Sequence, residues 1–580
     1  MQPQPPLRMP GHLFAELATG GGSSEALAFL DRGERVRRLL LLRTLHASLE
    51  SLPTPLTPHS EAWRVLWDAA GRTPEAVEEL ILAPQVGSWL AHVLRRIHGA
   101  SEGPPLWAEA GRLGALAVAA ALRARTEADL LVPLTDGALH LPGLGMAQLA
   151  RTGGGVTIGR ARTSDGELTL TLHEAGAADV SRPGTSLTCR PSAVPAPGQS
   201  VPGERDPGES DPAGSGSRWV PLRTLTYSGT SDAGSGAVPL DDLDPYRDLD
   251  EPIAPARLDR DEAAVWQEMF EEAAGLVTGA GRGSGPGRLD PAVIRAVVPW
   301  GRTSSTPPPP PDVRVSATSG DSYGAMVIAR PSSSLALAEA FVHEFQHSKL
   351  AALLHLFPLL DDDREERYYA PWRADPRHLT GLLHGAYAFI GVAGFWRERL
   401  IDPEHAETAA YHFALRRLQG RLVVRTLLGS GRLTVEGREL VAGLARTLDG
   451  WLREPVDRSA LDRARTAAAL HRTEWRLRNV SPESLAAHDR TDVPFRADRE
   501  SWPDVRTYAF ADRPSAPCTA DEHLAAGNPA TALARYADAL ATDPAEPHAL
   551  SGWIVARAAI APGRTSRRML ARPELMQPQH

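Results

Sequence analysis

The sequence predicts an α+β fold, predominantly helical, and three observations predict it. Apolar residues recur at helical spacing through the first 125 residues and again through 376–475. From about residue 128 the pattern changes to short, β-branched, glycine-punctuated segments, which read as strands. The stretch 519–557 then returns to helical spacing. With 580 residues there is room for two to four domains at roughly 100–200 residues each. Hydrophobic residues at 42% and charged residues at 23% are enough for a full core, which excludes a wholly disordered chain.

The N-terminal helical region spans 1–126. Its signals are Leu13-Phe14, Leu17 and Leu39 to Leu49, then Trp63, Val77, Leu80-Ile81 and Trp89-Leu90, then the alanine-rich GALAVAAALRAR, a strong helix former. A strand-rich region follows over 127–258: ADLLVPL, GALHLPGLG, GGVTIGRAR, GELTLTLHE and SRWVPLRTLTYSG. The Pro/Gly/Ser insertion 194–217 interrupts it and has too little apolar content to order itself. The breaks 279–288 and 303–312 read as loops, the second with a polyproline run. A third region, 259–480, is helical apart from a buried strand over 321–331, and holds one helix over 332–357 bounded by serines 332–334 and Pro358. The C-terminal region, 481–580, carries Leu524, Gly527, Ala532, Tyr536, Ala539 and Pro544 where a single tetratricopeptide-like repeat of about 34 residues has its small and aromatic positions. One copy is too few for an array, so a helical hairpin over 519–557 is expected.

Charge and cysteine content exclude several classes. The net charge of −9 argues against nucleic acid as partner. Of the 62 basic residues all but Lys349 are arginine, a skew better explained by coding bias than by phosphate binding. Two cysteines, Cys189 and Cys518, exclude a disulfide framework and a cysteine-based zinc cluster, and they fit a reducing cytosol. No stretch reads as a bilayer span of roughly 20 apolar residues, and MQPQPPLRMPGHLF lacks a secretory pattern. A cytoplasmic protein with no membrane partner is expected; its oligomeric state is not legible.

The residues that point to chemistry are His343-Glu344-Phe345-Gln346-His347, an H-E-x-x-H motif inside the 332–357 helix. Spacing i, i+4 puts both imidazoles on one helix face, one turn apart, as two ligands of one metal require. The bland alternative is a pair of exposed or core-satisfied histidines. The motif helix beside a small sheet predicts a zincin-like arrangement. A third ligand must come from another element. His355 is poorly aimed, about 80° round the helix from His347. His378 reads as a helix-entry residue. His384 lies among Gly385, Ala386, Ala388, Gly391 and Ala393, where a second helix has room to approach, and it is the preferred candidate. Between the two helices, Tyr368 to Arg377 combines aromatics, prolines and arginines and cannot be regular helix throughout. Arg373 or Arg377 could hold a carboxylate bidentately; the alternative is surface pairing with the acidic run 361–366.

GAMVIARP followed by LAEAFVHEFQHSKL, then YYAPWRADPRHLTGLLHGAYAF, together with LDDLDPYRD at 240–248, resembles the HEXXH-motif peptide-modification proteins associated with ribosomally made precursor peptides. The resemblance covers most of 10–480. It implies an Fe(II)/2-oxoglutarate-dependent β-hydroxylase acting with O₂ on a precursor-peptide side chain, with His343, His347 and His384 as metal ligands and Arg373 or Arg377 toward 2-oxoglutarate. The carboxylate of a two-histidine, one-carboxylate iron site is not evident, and the role of Glu344 stays open. Two other readings stand beside it. A zinc metallopeptidase would use Glu344 as general base. A non-catalytic protein would only bind the peptide.

Overall fold

Where the sequence is helix-periodic it forms helix, and where it is β-branched it forms two separate sheets. A computed structural model of the chain describes residues 8–50, 52–99, 103–150, 154–173, 185–191, 216–228, 235–249, 251–278, 285–300, 316–481 and 506–576. The segments 194–215, 279–284 and 303–312, expected as loops, lie outside the described residues; 285–288 is a turn closed by Arg288 N–H on the Gly285 carbonyl. The fold is α+β and mostly helical. The chain forms two units: Leu27–Gly281 with Leu289–Leu356, and Met1–Ala26 with Arg282–Arg288 and Phe357–His580.

The first unit is organised round the helix Arg112–Ala124. Its run Leu113 to Ala121 is buried on every side, the state expected of a helix that is apolar all round. The helix His59–Arg72 packs on one side of it and a sheet on the other. That sheet contains β1 (Ala128–Thr135), β2 (Ala138–Leu141), β3 (Gly145–Gln148), β4 (Val156–Ser164), β5 (Glu167–Leu172), β6 (Ser186–Cys189) and β7 (Arg218–Pro221). Its order is β6-β5-β4-β1-β2-β3-β7, all pairs antiparallel, and β6 and β7 approach each other so that it curls toward closure. In β1 the burial alternates, so Leu130, Val132 and Leu134 face the core. Each such buried side chain contributes roughly 1.5–3 kcal/mol. Register is set by Asp-Gly turns: Asp136-Gly137 joins β1 to β2 and Asp165-Gly166 joins β4 to β5. Both residues of each turn have positive φ (50° and 77°; 47° and 77°), as the favoured two-residue hairpin requires.

The second sheet of this unit places the motif. It consists of β8 (Arg223–Tyr227), β9 (Gly236–Leu240), β10 (Ala296–Trp300), β11 (Ser316–Ala317) and β12 (Ala325–Ala329), in order β11-β12-β10-β9-β8. β10 is parallel to both β9 and β12, and every residue of β12 is buried, as central parallel strands are. β11 runs antiparallel to β12 at the edge. Four residues after β12 the helix Ser334–Leu356 begins, with the Ser333 hydroxyl accepting the Ala336 N–H as its cap. It lies on β11 and β12 and against the helix Arg260–Thr278, where Phe341 meets Phe270 edge-on at 5.6 Å.

The other unit is helical. Leu379–Glu398 packs on Ala406–Gly429, which also contacts Val435–Trp451 and Arg458–Asn479. The helices Pro529–Thr542 and Pro547–Ile560 form a hairpin docked on Arg458–Asn479. By length and composition the run Leu379–Ile401 is apolar enough to cross a membrane, an exception to the sequence expectation, and 78% of its most apolar window is buried inside the protein.

Candidate metal and substrate residues

From Phe341 to Leu350 the motif helix is buried at every position except His343 and His347, which are half-buried. Phe341, Val342, Phe345 and Leu350 hold the helix in the core, so the two imidazoles emerge on the one face left accessible. Their Nε2 atoms stand 3.1 Å apart, with ring centroids at 4.8 Å. Two nitrogens each roughly 2.0–2.1 Å from one metal have a separation of this size. The pair therefore fits a shared metal ion. Among the described residues no group of three His, Cys, Asp or Glu side chains is gathered as a metal site.

Glu344 points elsewhere. It is 1% exposed, and the Ser316 hydroxyl donates to Oε1 while the Thr318 hydroxyl donates to Oε2, both at 2.6 Å. Its carboxylate thus fastens the motif helix to the edge strand β11. Neither hydroxyl was among the residues singled out from the sequence, because they lie 28 and 26 residues away with only a generic serine/threonine pattern to mark them. Two residues beyond His347, Lys349 is buried, and burial pushes its ammonium down to about 7.

His355 is committed to another partner. Its Nδ1 lies 2.8 Å from Glu34, a buried carboxylate also near Arg37 and Arg38. Burial opposes the charge on Glu34, but the bond to His355 and the two arginines hold it below its ordinary value.

The remaining candidates belong to the other unit, each described here in its own surroundings. His378 precedes the helix Leu379–Glu398, as expected of an entry residue, with Nδ1 2.6 Å from Asp362. Asp362 also accepts the Thr380 N–H; against burial, these bonds keep it ionised well below the usual carboxylate range. His384 sits one and a half turns into the helix and is pushed down to about 4, first by burial and then by the charges of His378 and Arg377. It is a neutral imidazole at ordinary pH, the form a metal ligand needs. Of the small residues on this helix, Gly385, next to His384, gives room to the Trp372 indole, and Gly394, nearly three turns further on, to the turn at Gly287.

The segment Tyr368–Arg377 is an irregular loop pinned at several points. Tyr368 and Arg377 exchange backbone hydrogen bonds at 2.9 Å. Gln419 donates to the Pro371 carbonyl at 2.6 Å and Asn479 to that of Ala374 at 2.8 Å. Trp372 packs on Phe389 at 4.8 Å. Arg373 is half exposed and pairs with Asp375 at 2.8 Å; Arg377 is more enclosed and reaches the same carboxylate at 3.5 Å. The acidic run is taken by other arginines, Arg367 on Asp363 and Arg432 on Asp361 and Asp363. The chain matches no protein-family model and no curated protein.

Proposed function

We propose that the protein is an Fe(II)- and 2-oxoglutarate-dependent enzyme that hydroxylates a side-chain β-carbon of a ribosomally made precursor peptide. The observation that carries the reading is the His343–His347 pair: two half-buried imidazoles, 3.1 Å apart, on a stretch of helix, Phe341 to Leu350, that is buried at every other position. Iron bound there would supply, with 2-oxoglutarate and O₂, the oxidising power for hydrogen abstraction. His384 is retained as the third ligand. Arg377, more enclosed than Arg373 and already acting on His384 through its charge, is the better candidate to hold the 2-oxoglutarate carboxylate.

The protein's own residues also supply a place for an extended peptide. Among the described residues β11 pairs only with β12, and it borders the motif helix, so a peptide could add to its free side by backbone hydrogen bonds. Glu344 weighs against the peptidase reading. A general base must reach the water it activates, and both its oxygens are occupied by hydroxyls in a fully buried setting. Its role in the hydroxylase reading is to fix the motif helix against the edge strand.

The test is anaerobic purification, metal analysis, and incubation of the full chain with a precursor peptide, Fe(II), 2-oxoglutarate and O₂, read by mass. Gain of one oxygen atom that depends on 2-oxoglutarate supports the proposal. Two fragments formed without 2-oxoglutarate would make the protein a peptidase.

A further inference from the structure

Loop 240–248 takes no part in that chemistry, yet three of its four acidic side chains are almost wholly withdrawn from water: Asp241 and Asp242 are 0% exposed and Asp244 7%. Asp241 accepts the backbone N–H groups of Leu243 and Asp244 and bonds Gln85. Asp242 holds Arg257 at 3.0 Å and accepts the Leu258 N–H. Asp244 accepts the Tyr246 N–H at 2.9 Å and pairs with Arg112. The loop is therefore a braced frame, in which each carboxylate fixes backbone or an arginine.

What it frames is a cavity of about 320 Å³ within the first unit, between this loop, the helix Arg112–Ala124 and strand β2. That volume is at the small end of the range for ligand sites, roughly 300–1,000 Å³. Pro245, Pro252 and Pro255 give it rigid apolar walls, and the Tyr246 ring lies 4.9 Å beneath the Arg112 guanidinium. His140, on β2, lines it too. His140 is 8% exposed, and among the described residues its buried Nδ1 has no hydrogen-bond partner. Burial pushes the imidazole down to about 4, so it is neutral. Among the described residues the Arg112 Nε is likewise buried without a hydrogen-bond partner. Both residues line the cavity, so a polar ligand group or water bound there has unsatisfied partners to meet.

The charges of the lining narrow the ligand. Of the buried charges in the lining, Arg112 already has Asp244 and Glu109 already has Arg96; the remaining charge, Asp136, is exposed to water and accepts the Gly155 N–H. A charged ligand would bring an uncompensated ion among buried charges that are already paired, at a high desolvation cost. We propose that this cavity binds a compact neutral ring compound carrying one hydrogen-bonding group, with His140 recognising that group and Tyr246 and the prolines holding the ring. The proposal is independent of the metal reading.

The test uses the full chain and three neutral probes, indole, phenol and benzamide, with benzoate as the charged control, followed by calorimetry and saturation-transfer NMR. Ala254, exposed at the cavity wall, is the place to block it. At least one neutral probe is expected to bind saturably at one site, more tightly than benzoate. Ala254→Trp should abolish binding without altering the melting temperature, and His140→Phe should weaken it by about tenfold, the value of one hydrogen bond. If His140→Phe fails to fold, Ala254→Trp decides alone. No saturable binding of any neutral probe, binding unchanged in Ala254→Trp, or benzoate binding as tightly as the neutral probes would each overturn the proposal.

Discussion

The helices Ser334–Leu356 and Leu379–Glu398 are both long, apolar and histidine-bearing, but they use their histidines differently. On the first, two imidazoles face one another on the accessible side, and the intervening glutamate is turned aside to two hydroxyls. On the second, His384 stands beside Gly385, whose space is taken by Trp372, with His378 fixed by Asp362 at the helix entry. The first arrangement follows from helical spacing. The second is built by what the rest of its unit packs around it.

The sharpest way to break this comparison is to remove one imidazole of the pair. His343→Ala or His347→Ala should lower metal affinity by more than about a hundredfold, beyond what loss of an outer partner costs, and abolish turnover; anaerobic metal titration checks it. Substituting Glu344→Gln comes next. If Glu344 fastens helix to strand, activity should fall less than about tenfold, whereas loss of a general base costs roughly 10²–10⁴-fold. Steady-state rates on the same peptide separate the two.

Gly385→Val probes the second helix. A side chain there overlaps the Trp372 indole, and such overpacking costs about 1–3 kcal/mol, read as a lowered melting temperature. A melt equal to wild type would show that Trp372 is not held as described. The smallest effect is a pH dependence near the C-terminal hairpin. His548 is raised from its ordinary 6.5 to about 9 by hydrogen bonds to Asp521 and then Glu474. A raised histidine contributes stability that is complete below about 6.5 and lost as the pH rises through about 9. Docking of Pro547–Ile560 should loosen over that window, modestly because His548 is partly solvated, and His548→Gln should flatten the dependence in thermal melts.

What the sequence made legible was local. An i, i+4 pair meets wherever a helix forms, so His343 and His347 could be placed together from spacing alone. The strand region was legible from β-branched runs, and Asp136-Gly137 and Asp165-Gly166 were available as hairpin signals. What was hidden depended on distant chain. Small residues around His384 announce a close approach but not its identity, and here the Trp372 indole arrives from a loop rather than from a second helix. His355 finds Glu34 across 321 residues of sequence. The Ser316 and Thr318 hydroxyls become meaningful only once β11 is laid beside the motif helix. The buried aspartates of 240–248 could be seen as a motif, but not as the frame of a cavity.

The central claim is that His343 and His347 hold one metal. Anaerobic reconstitution of the full chain with Fe(II), followed by metal analysis of wild type and of His343→Ala and His347→Ala, tests it most directly. The account predicts one equivalent of metal per wild-type chain and loss of that equivalent in both variants, each still folded by circular dichroism. Metal retained undiminished in both variants would contradict it.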